Sequence, residues 1–202
     1  MAINNHQFDL AKYTPDVRRL NDMEEVLFDQ EWVRTAPNVD LYYMYRKLEI
    51  KNGLRYDITI IHPRMLGQEF VKTKGHVHAG FYGEVYMVLE GEGLYFAQKG
   101  DEQNIEDVFV VHAKKGDVII IPAGYGHVTI NPSRAEQLKT ANWVAENDKG
   151  DFSLFERNQG ACYYYLAPGT WVKNEHYKNV PALRFVEPMK EVPADLDFLK
   201  AK

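Results

Sequence analysis

Between residues 39 and 166 the chain is a succession of short strand-like runs punctuated by glycine and proline, with no apolar period of helical length among them. That pattern disfavours an alternating α/β fold and predicts an all-β sandwich or barrel. The first run, Leu41 to Ile50, is followed by Asn52-Gly53, a strong hairpin signal because both central residues of a type I′ turn need positive φ. Arg55 to His62 returns as its partner and Pro63 ends it. Further runs are Phe70 to Val77, Glu84 to Glu90, Gly93 to Gln98, Asp107 to His112, Val118 to Ile121, His127 to Ile130, Lys139 to Val144, Phe152 to Phe155 and Ala161 to Leu166.

The flanks differ. Residues 1–20 are polar with scattered apolar positions and predict an arm packed on the main body. Asn21 with Glu24 has capping-box spacing, and Met23, Val26, Leu27 and Trp32 would form the inner face of a short helix ending near Pro37. The tail from Ala167 holds four prolines and reads as mostly irregular, with a helical turn within Asp195 to Lys200. No Gly/Ser linker divides the 202 residues, so one domain is expected: arm and helix 1–38, β body 39–166 and extension 167–202.

Within the β body, His76-x-His78 sits in a strand-like stretch. Side chains two apart in a strand point to one face, so the two imidazoles can share one ion. Five residues, two of them Gly, separate His78 from Glu84, enough to turn a carboxylate back to the pair. His127 follows the turn Pro122-Ala123-Gly124-Tyr125-Gly126. Three imidazoles and one carboxylate make a ligand set for a divalent transition metal. Fe(II) stands first, with Mn(II), Ni(II), Cu(II) and Zn(II) as alternatives. Four protein ligands on an octahedral ion leave two positions, for neighbouring hydroxyl and carbonyl oxygens or for dioxygen. His6, His62, His112 and His176 lack such context and read as structural.

The remaining bounds are broad. A net charge of −5 weighs against nucleic acid as the main partner. No apolar run reaches the length of a membrane span, and the N-terminus carries no basic and apolar secretory pattern. The lone Cys162 excludes an intrachain disulfide framework, which points to a reduced, cytoplasmic setting.

Two ordered motifs resemble the signatures of the cupin superfamily. His76, His78, Glu84 and Gly91 match the first, with Phe70 where that motif has Gly. Gly116, Pro122, Gly124, His127 and Asn131 match every position of the second. The resemblance implies a small double-sheet β barrel (a jelly roll) with the metal held inside its mouth by three His and one Glu. Thr73-Lys74-Gly75-His76-x-His78 with Glu84-Val85-Tyr86 further resembles the cupin-type, or archaeal-type, phosphoglucose isomerases, as do Arg18 to Met23 and Gly67 to Phe70.

That family interconverts glucose 6-phosphate and fructose 6-phosphate. The resemblance implies phosphate contacts at Thr73, Gly75 and Tyr86, with Thr59 and Tyr42 beside them and Lys74 adding charge. It implies Glu84 as base, or as ligand only, and Tyr86 as a proton carrier between oxygens. It also implies a late His; none occurs between 128 and 175, and Gly150 stands near its place. A cupin dioxygenase, another sugar-phosphate isomerase and a non-catalytic sensing cupin are the competing readings. Edge strands and the arm suit a homodimer.

Overall fold

The computed structural model describes residues 8–200, so the first seven residues of the expected arm, His6 among them, lie outside the described residues. After a 3-10 turn at Leu10–Lys12 comes β1 (Asp16–Arg19), and then two helical pieces instead of one helix. Leu20–Val26 is a 3-10 helix started by Arg19 and Asp22, whose carboxylate accepts the Arg19 N–H at 2.8 Å. The cap therefore lies two residues before the Asn21–Glu24 box. The helix α1 (Gln30–Val33) starts at Asp29, which accepts the Trp32 N–H at 2.9 Å. Short acidic side chains at 22 and 29 bond the backbone better at helix starts than in interiors, which splits the segment. Met23, Val26 and Leu27 are fully buried as expected.

The hairpin of β2 (Asp40–Lys51) and β3 (Leu54–Ile61) turns at Asn52 and Gly53, with φ of +53° and +74°. Next come β4 (Met65–Leu66), β5 (Glu69–Phe70) and β6 (Val77–His78). The run expected over Phe70 to Val77 is thus broken. Then β7 (Glu84–Glu90), β8 (Glu92–Gly100), β9 (Ile105–Lys114), β10 (Val118–Ile121), β11 (Gly126–Ile130) and β12 (Leu138–Ala145) follow the expected runs closely.

After β13 (Gly150–Asp151), the strand expected over Phe152 to Phe155 is instead a helix, α2 (Ser153–Arg157). Asp151 accepts the Ser153 N–H at 2.9 Å and Phe155 is buried completely. A four-residue apolar run has no resolvable period, and here the local acceptor decided it. The chain closes with β14 (Tyr163–Leu166), β15 (Thr170–Lys173), β16 (Arg184–Val186) and a 3-10 turn at Asp197–Leu199. The tail is therefore less irregular than expected, and its helical turn falls where the sequence places it.

The strands form a six-stranded sheet, β1-β2-β3-β12-β7-β10, and a four-stranded sheet, β11-β8-β9-β16. Two small sheets, β13-β6 and β15-β14-β5-β4, flank them. Every named pairing is antiparallel except β16 with β9. The two large sheets share one core, the double-sheet arrangement of a jelly roll. Tyr95 of β8 reaches across it, packing on Tyr86 with ring centroids 5.3 Å apart and donating its hydroxyl to Thr140 at 2.8 Å. The outer face of the six-stranded sheet is covered as well. Leu54, Tyr56, Val85 and Trp143 pack there with Phe8 and Leu10 of the arm and Leu196 and Leu199 of the tail. β3 alternates accordingly: Leu54, Tyr56 and Ile58 face this outer cluster, while Arg55, Asp57 and Thr59 line the cavity on the other face.

Gly91, between β7 and β8, has φ of +73°, and a Cβ there would lie 2.3 Å from the Gln137 carbonyl oxygen. Both conditions forbid a side chain. Gly91→Ala should cost about 1–3 kcal/mol. Urea unfolding checks this: the midpoint should fall with an unchanged slope.

Candidate metal centre

His76 and His127 face one another as an antiparallel pair, exchanging N–H···O bonds of 3.3 and 3.0 Å. One step earlier, Thr73 pairs with Thr129: the Thr73 N–H donates to the Thr129 carbonyl at 2.8 Å. Three residues thus advance on one strand while two advance on the other. This is a β-bulge, and Gly75, at φ +83°, takes the conformation that it needs. A Cβ on Gly75 would sit 2.7 Å from Val128 and 2.9 Å from the Phe155 ring.

The bulge changes which side chains share a face. By simple alternation Thr73 and His76 would point oppositely. Here both line one cavity of about 740 Å³. His78 follows on β6, the turn Ala79–Gly83 reverses the chain, and Glu84 opens β7. The four expected ligands come together, with donor atoms within 4.8 Å of one another. Ring centroids are 5.1 Å apart for His76–His78, 4.5 Å for His76–His127 and 5.2 Å for His78–His127.

Glu84 is held on both oxygens. Its Oε2 accepts from the Tyr86 hydroxyl at 2.9 Å and lies 3.0 Å from His127 Nε2 and 3.4 Å from His78 Nε2. Its Oε1 accepts from Asn142 at 2.6 Å. Asn142 faces Tyr86 across the β12–β7 ladder, so strand register delivers both donors. Tyr86 Oη also lies 3.1 Å from His127 Nε2.

Burial raises the Glu84 carboxyl, but His127 and His78 overcome it and hold the group well below the usual carboxylate range. Burial, with His127 and His78 beside it, drives His76 well below an ordinary imidazole. Burial alone would lower His78 too, yet the Asp148 and Glu84 carboxylates push it up to about 9. Burial and the Glu84 charge carry the Tyr86 hydroxyl well above its usual value.

Both ring nitrogens of His78 and Nδ1 of His127 are buried without a well-aligned hydrogen-bond partner. Asp148 Oδ2 lies 2.8 Å from His78 Nδ1. Imidazole nitrogens gathered around an ionised carboxylate fit a divalent transition metal.

Tyr42, Thr59, Thr73, Lys74, Gly75 and Tyr86, the expected substrate residues, all line the cavity. The Lys74 ammonium is already matched, 2.7 Å from Glu156 and 3.5 Å from Glu25, while its backbone N–H donates to the Tyr42 hydroxyl at 3.1 Å. Gly150 is explained by contact: a Cβ there would lie 2.9 Å from the His76 ring.

Sequence reasoning missed Arg18, Asn142 and Asp148, which also line the cavity. Arg18 lay in the stretch Arg18 to Met23 but was given no role. Asn142 was legible only through cross-strand register. Asp148 sits in the polar turn Glu146-Asn147-Asp148-Lys149-Gly150, which reads as any solvated loop.

The glucose-6-phosphate isomerase (GPI) family profile matches residues 17–182. Among curated relatives, the glucose-6-phosphate isomerase of Pyrococcus furiosus is 34% identical over 121 residues and that of Thermococcus litoralis 32% over 123. Each alignment covers 57% of this chain, and the chain spans 62% of the length of each relative. Similar solved structures include an oxalate oxidase in complex with glycolate, with 20% identity, 50% of this chain and 46% of that one covered, and a TM-score of 0.40. Another is the capsular polysaccharide assembling protein CapF from Staphylococcus aureus, with 16% identity, coverage of 50% and 26%, and a TM-score of 0.39.

His127→Ala removes one donor and should leave the sheets intact. Elemental analysis after dialysis should then show bound transition metal falling from stoichiometric to trace, with an unchanged far-UV spectrum. Stoichiometric metal in that variant would refute the ligand assignment.

Proposed function

Because the chain belongs to the glucose-6-phosphate isomerase family, we propose that it interconverts glucose 6-phosphate and fructose 6-phosphate, using a divalent metal held by His76, His78, Glu84 and His127. One observation carries the reading. The four donors converge beside a cavity whose lining includes the hydroxyls of Tyr42, Thr59, Thr73 and Tyr86, the backbone of Gly75 and the Arg18 cation, groups that suit a sugar phosphate. Fe(II) is the first candidate ion, ahead of Mn(II), Ni(II) and Zn(II).

The phosphate end is formed by Thr73, Gly75, Thr59 and Tyr42, with Arg18 beside them. Thr73 Oγ1 accepts the Thr129 N–H at 3.0 Å, which leaves its own proton to donate. Burial raises the Tyr42 hydroxyl and the nearby Arg18 charge partly offsets it, so these two groups sit together. Arg18 Nε is buried without a protein acceptor, and the guanidinium lies 5.7 Å from the centre of the Phe152 ring. A phosphate dianion supplies the missing acceptor.

The metal, when bound, acts as a Lewis acid toward the C1 and C2 oxygens of the sugar. Glu84, held by hydrogen bonds from Asn142 and Tyr86, takes the C2 proton and returns it at C1 in this reading. Tyr86 carries a proton between the two oxygens. In the alternative route hydrogen moves directly from carbon to carbon and Glu84 only ligates. The buried Cys162 thiol, pushed up by burial, is consistent with the reduced cytoplasmic setting included in this reading. A homodimer is also included.

Coupling product glucose 6-phosphate to its dehydrogenase, before and after chelation and with each divalent metal restored in turn, tests the assignment. Turnover should vanish with the metal and return with it; full turnover after exhaustive chelation would exclude a metal-dependent isomerase. In heavy water, deuterium should enter the product if Glu84 is the base. Arg18→Gln should raise KM for the sugar phosphate roughly 10–100-fold, the worth of a charge-assisted hydrogen bond, with little change in kcat. An unchanged KM would remove Arg18 from the phosphate end.

A further inference from the structure

The cavity wall also holds a group of buried charges that the reaction does not use: Arg55, Asp57 and Asp148. Arg55 does not account for the Asp148 carboxylate, because its well-placed donors are spent elsewhere. Its Nε bonds Asp57 at 2.8 Å, and its Nη1 reaches the carbonyls of Ala145, Glu146 and Asp148 at 3.3, 3.1 and 3.0 Å. The remaining nitrogen, Nη2, is 3.9 Å from Asp148 Oδ2, too long for a hydrogen bond. His78 Nδ1, by contrast, lies 2.8 Å from Asp148 Oδ2. Its other oxygen, Oδ1, is buried with no partner. A desolvated carboxylate left half unsatisfied is costly unless it serves a neighbour.

The loop that carries Asp148 is clamped from both sides. Arg55 ties its three carbonyls to β3, and on the far side Gly150 pairs with His78 while the Ala79 N–H donates to Lys149 O at 2.9 Å. The loop closes on itself through the Asp148 N–H, which donates to Ala145 O at 3.0 Å. The clamp therefore places the carboxylate on the outer nitrogen of the one ligand histidine that does not line the cavity.

We propose that Asp148 is a positioning residue for His78: its carboxylate accepts the Nδ1–H, which fixes the ring tautomer and turns Nε2 to the metal, with Arg55 holding the loop that carries it. Histidine ligands commonly pair their outer nitrogen with a carboxylate, which orients the ring and raises its basicity. Here the carboxylate comes from a turn seventy residues downstream of the histidine. The inference rests on the metal reading above.

The test uses Co(II) as probe on metal-free full-length protein, read by its visible absorption and by competition titration. Asp148→Ala should bind Co(II) about 10–100-fold more weakly than wild type and with an altered visible band. Asp148→Asn, which keeps the shape and an acceptor but not the charge, should fall between the two, and it also serves if the Ala variant fails to fold. Melting of the metal-free forms separates the roles. Wild-type Co(II) affinity and spectrum in Asp148→Asn would overturn the proposal and leave Asp148 a loop anchor only, whatever its melting temperature. Failure of the wild type itself to take up Co(II) would instead overturn the metal reading. His78→Ala should lose binding outright, which marks that difference.

Discussion

One inserted residue in the strand that carries the first two histidines sets the geometry of the whole site. Between the Thr73–Thr129 and His76–His127 pairs, that strand advances one residue more than its partner, and Gly75 absorbs the excess. Without the insertion, alternation would turn His76 to the opposite face from Thr73. With it, the Thr73 hydroxyl and the His76 imidazole open on the same cavity. The space for the bulge comes from Val128 and Phe155, which press where a side chain at 75 would go. The local backbone and the packing beneath it therefore specify each other.

The bulge also sets what the rest of the site must counterbalance. It brings three imidazoles and a carboxylate into a region where burial opposes every charge. Glu84 stays ionised because the His127 and His78 imidazoles outweigh its burial, while Tyr86 and Asn142 each hold one of its oxygens in place. These two donors face each other across the β7–β12 ladder, so the register of the large sheet, not local sequence, positions the carboxylate. The double burial of that sheet, by the shared core on one face and by arm and tail on the other, keeps this register from slipping.

The sequence made the repeating features legible and missed those created by contact at a distance. The Asn52-Gly53 hairpin, the runs from β7 to β12 and the convergence of His76, His78, Glu84 and His127 were readable because turn chemistry, alternation and spacing are local properties. The helix α2 was misread as a strand, since four residues cannot display a period and the deciding acceptor, Asp151, lies outside the run. The split of the N-terminal helix was hidden similarly by competing caps at Asp22 and Asp29. Arg18, Asn142 and Asp148 joined the site through tertiary placement alone. Gly150 reads as an absence in sequence and as a close contact with His76 in space.

Basic side chains around the cavity divide according to whether their charge is already matched. Arg55 is bonded to Asp57 and to backbone carbonyls. Arg46 lies 3.1 Å from Asp16 and 3.8 Å from Asp57, and Lys74 is held by Glu156 and Glu25. Such pairs hold the walls in place and contribute little net field, because each cation sits beside its own carboxylate. Arg18 differs: its Nε is buried with no protein acceptor, next to the Tyr42 hydroxyl. An unmatched guanidinium in a partly desolvated wall is tolerable if an anion regularly occupies the space in front of it. In our reading this distinction orients the sugar. A buried cation without a carboxylate beside it draws the phosphate to the Arg18 wall, which would leave C1 and C2 toward Glu84 and the histidines.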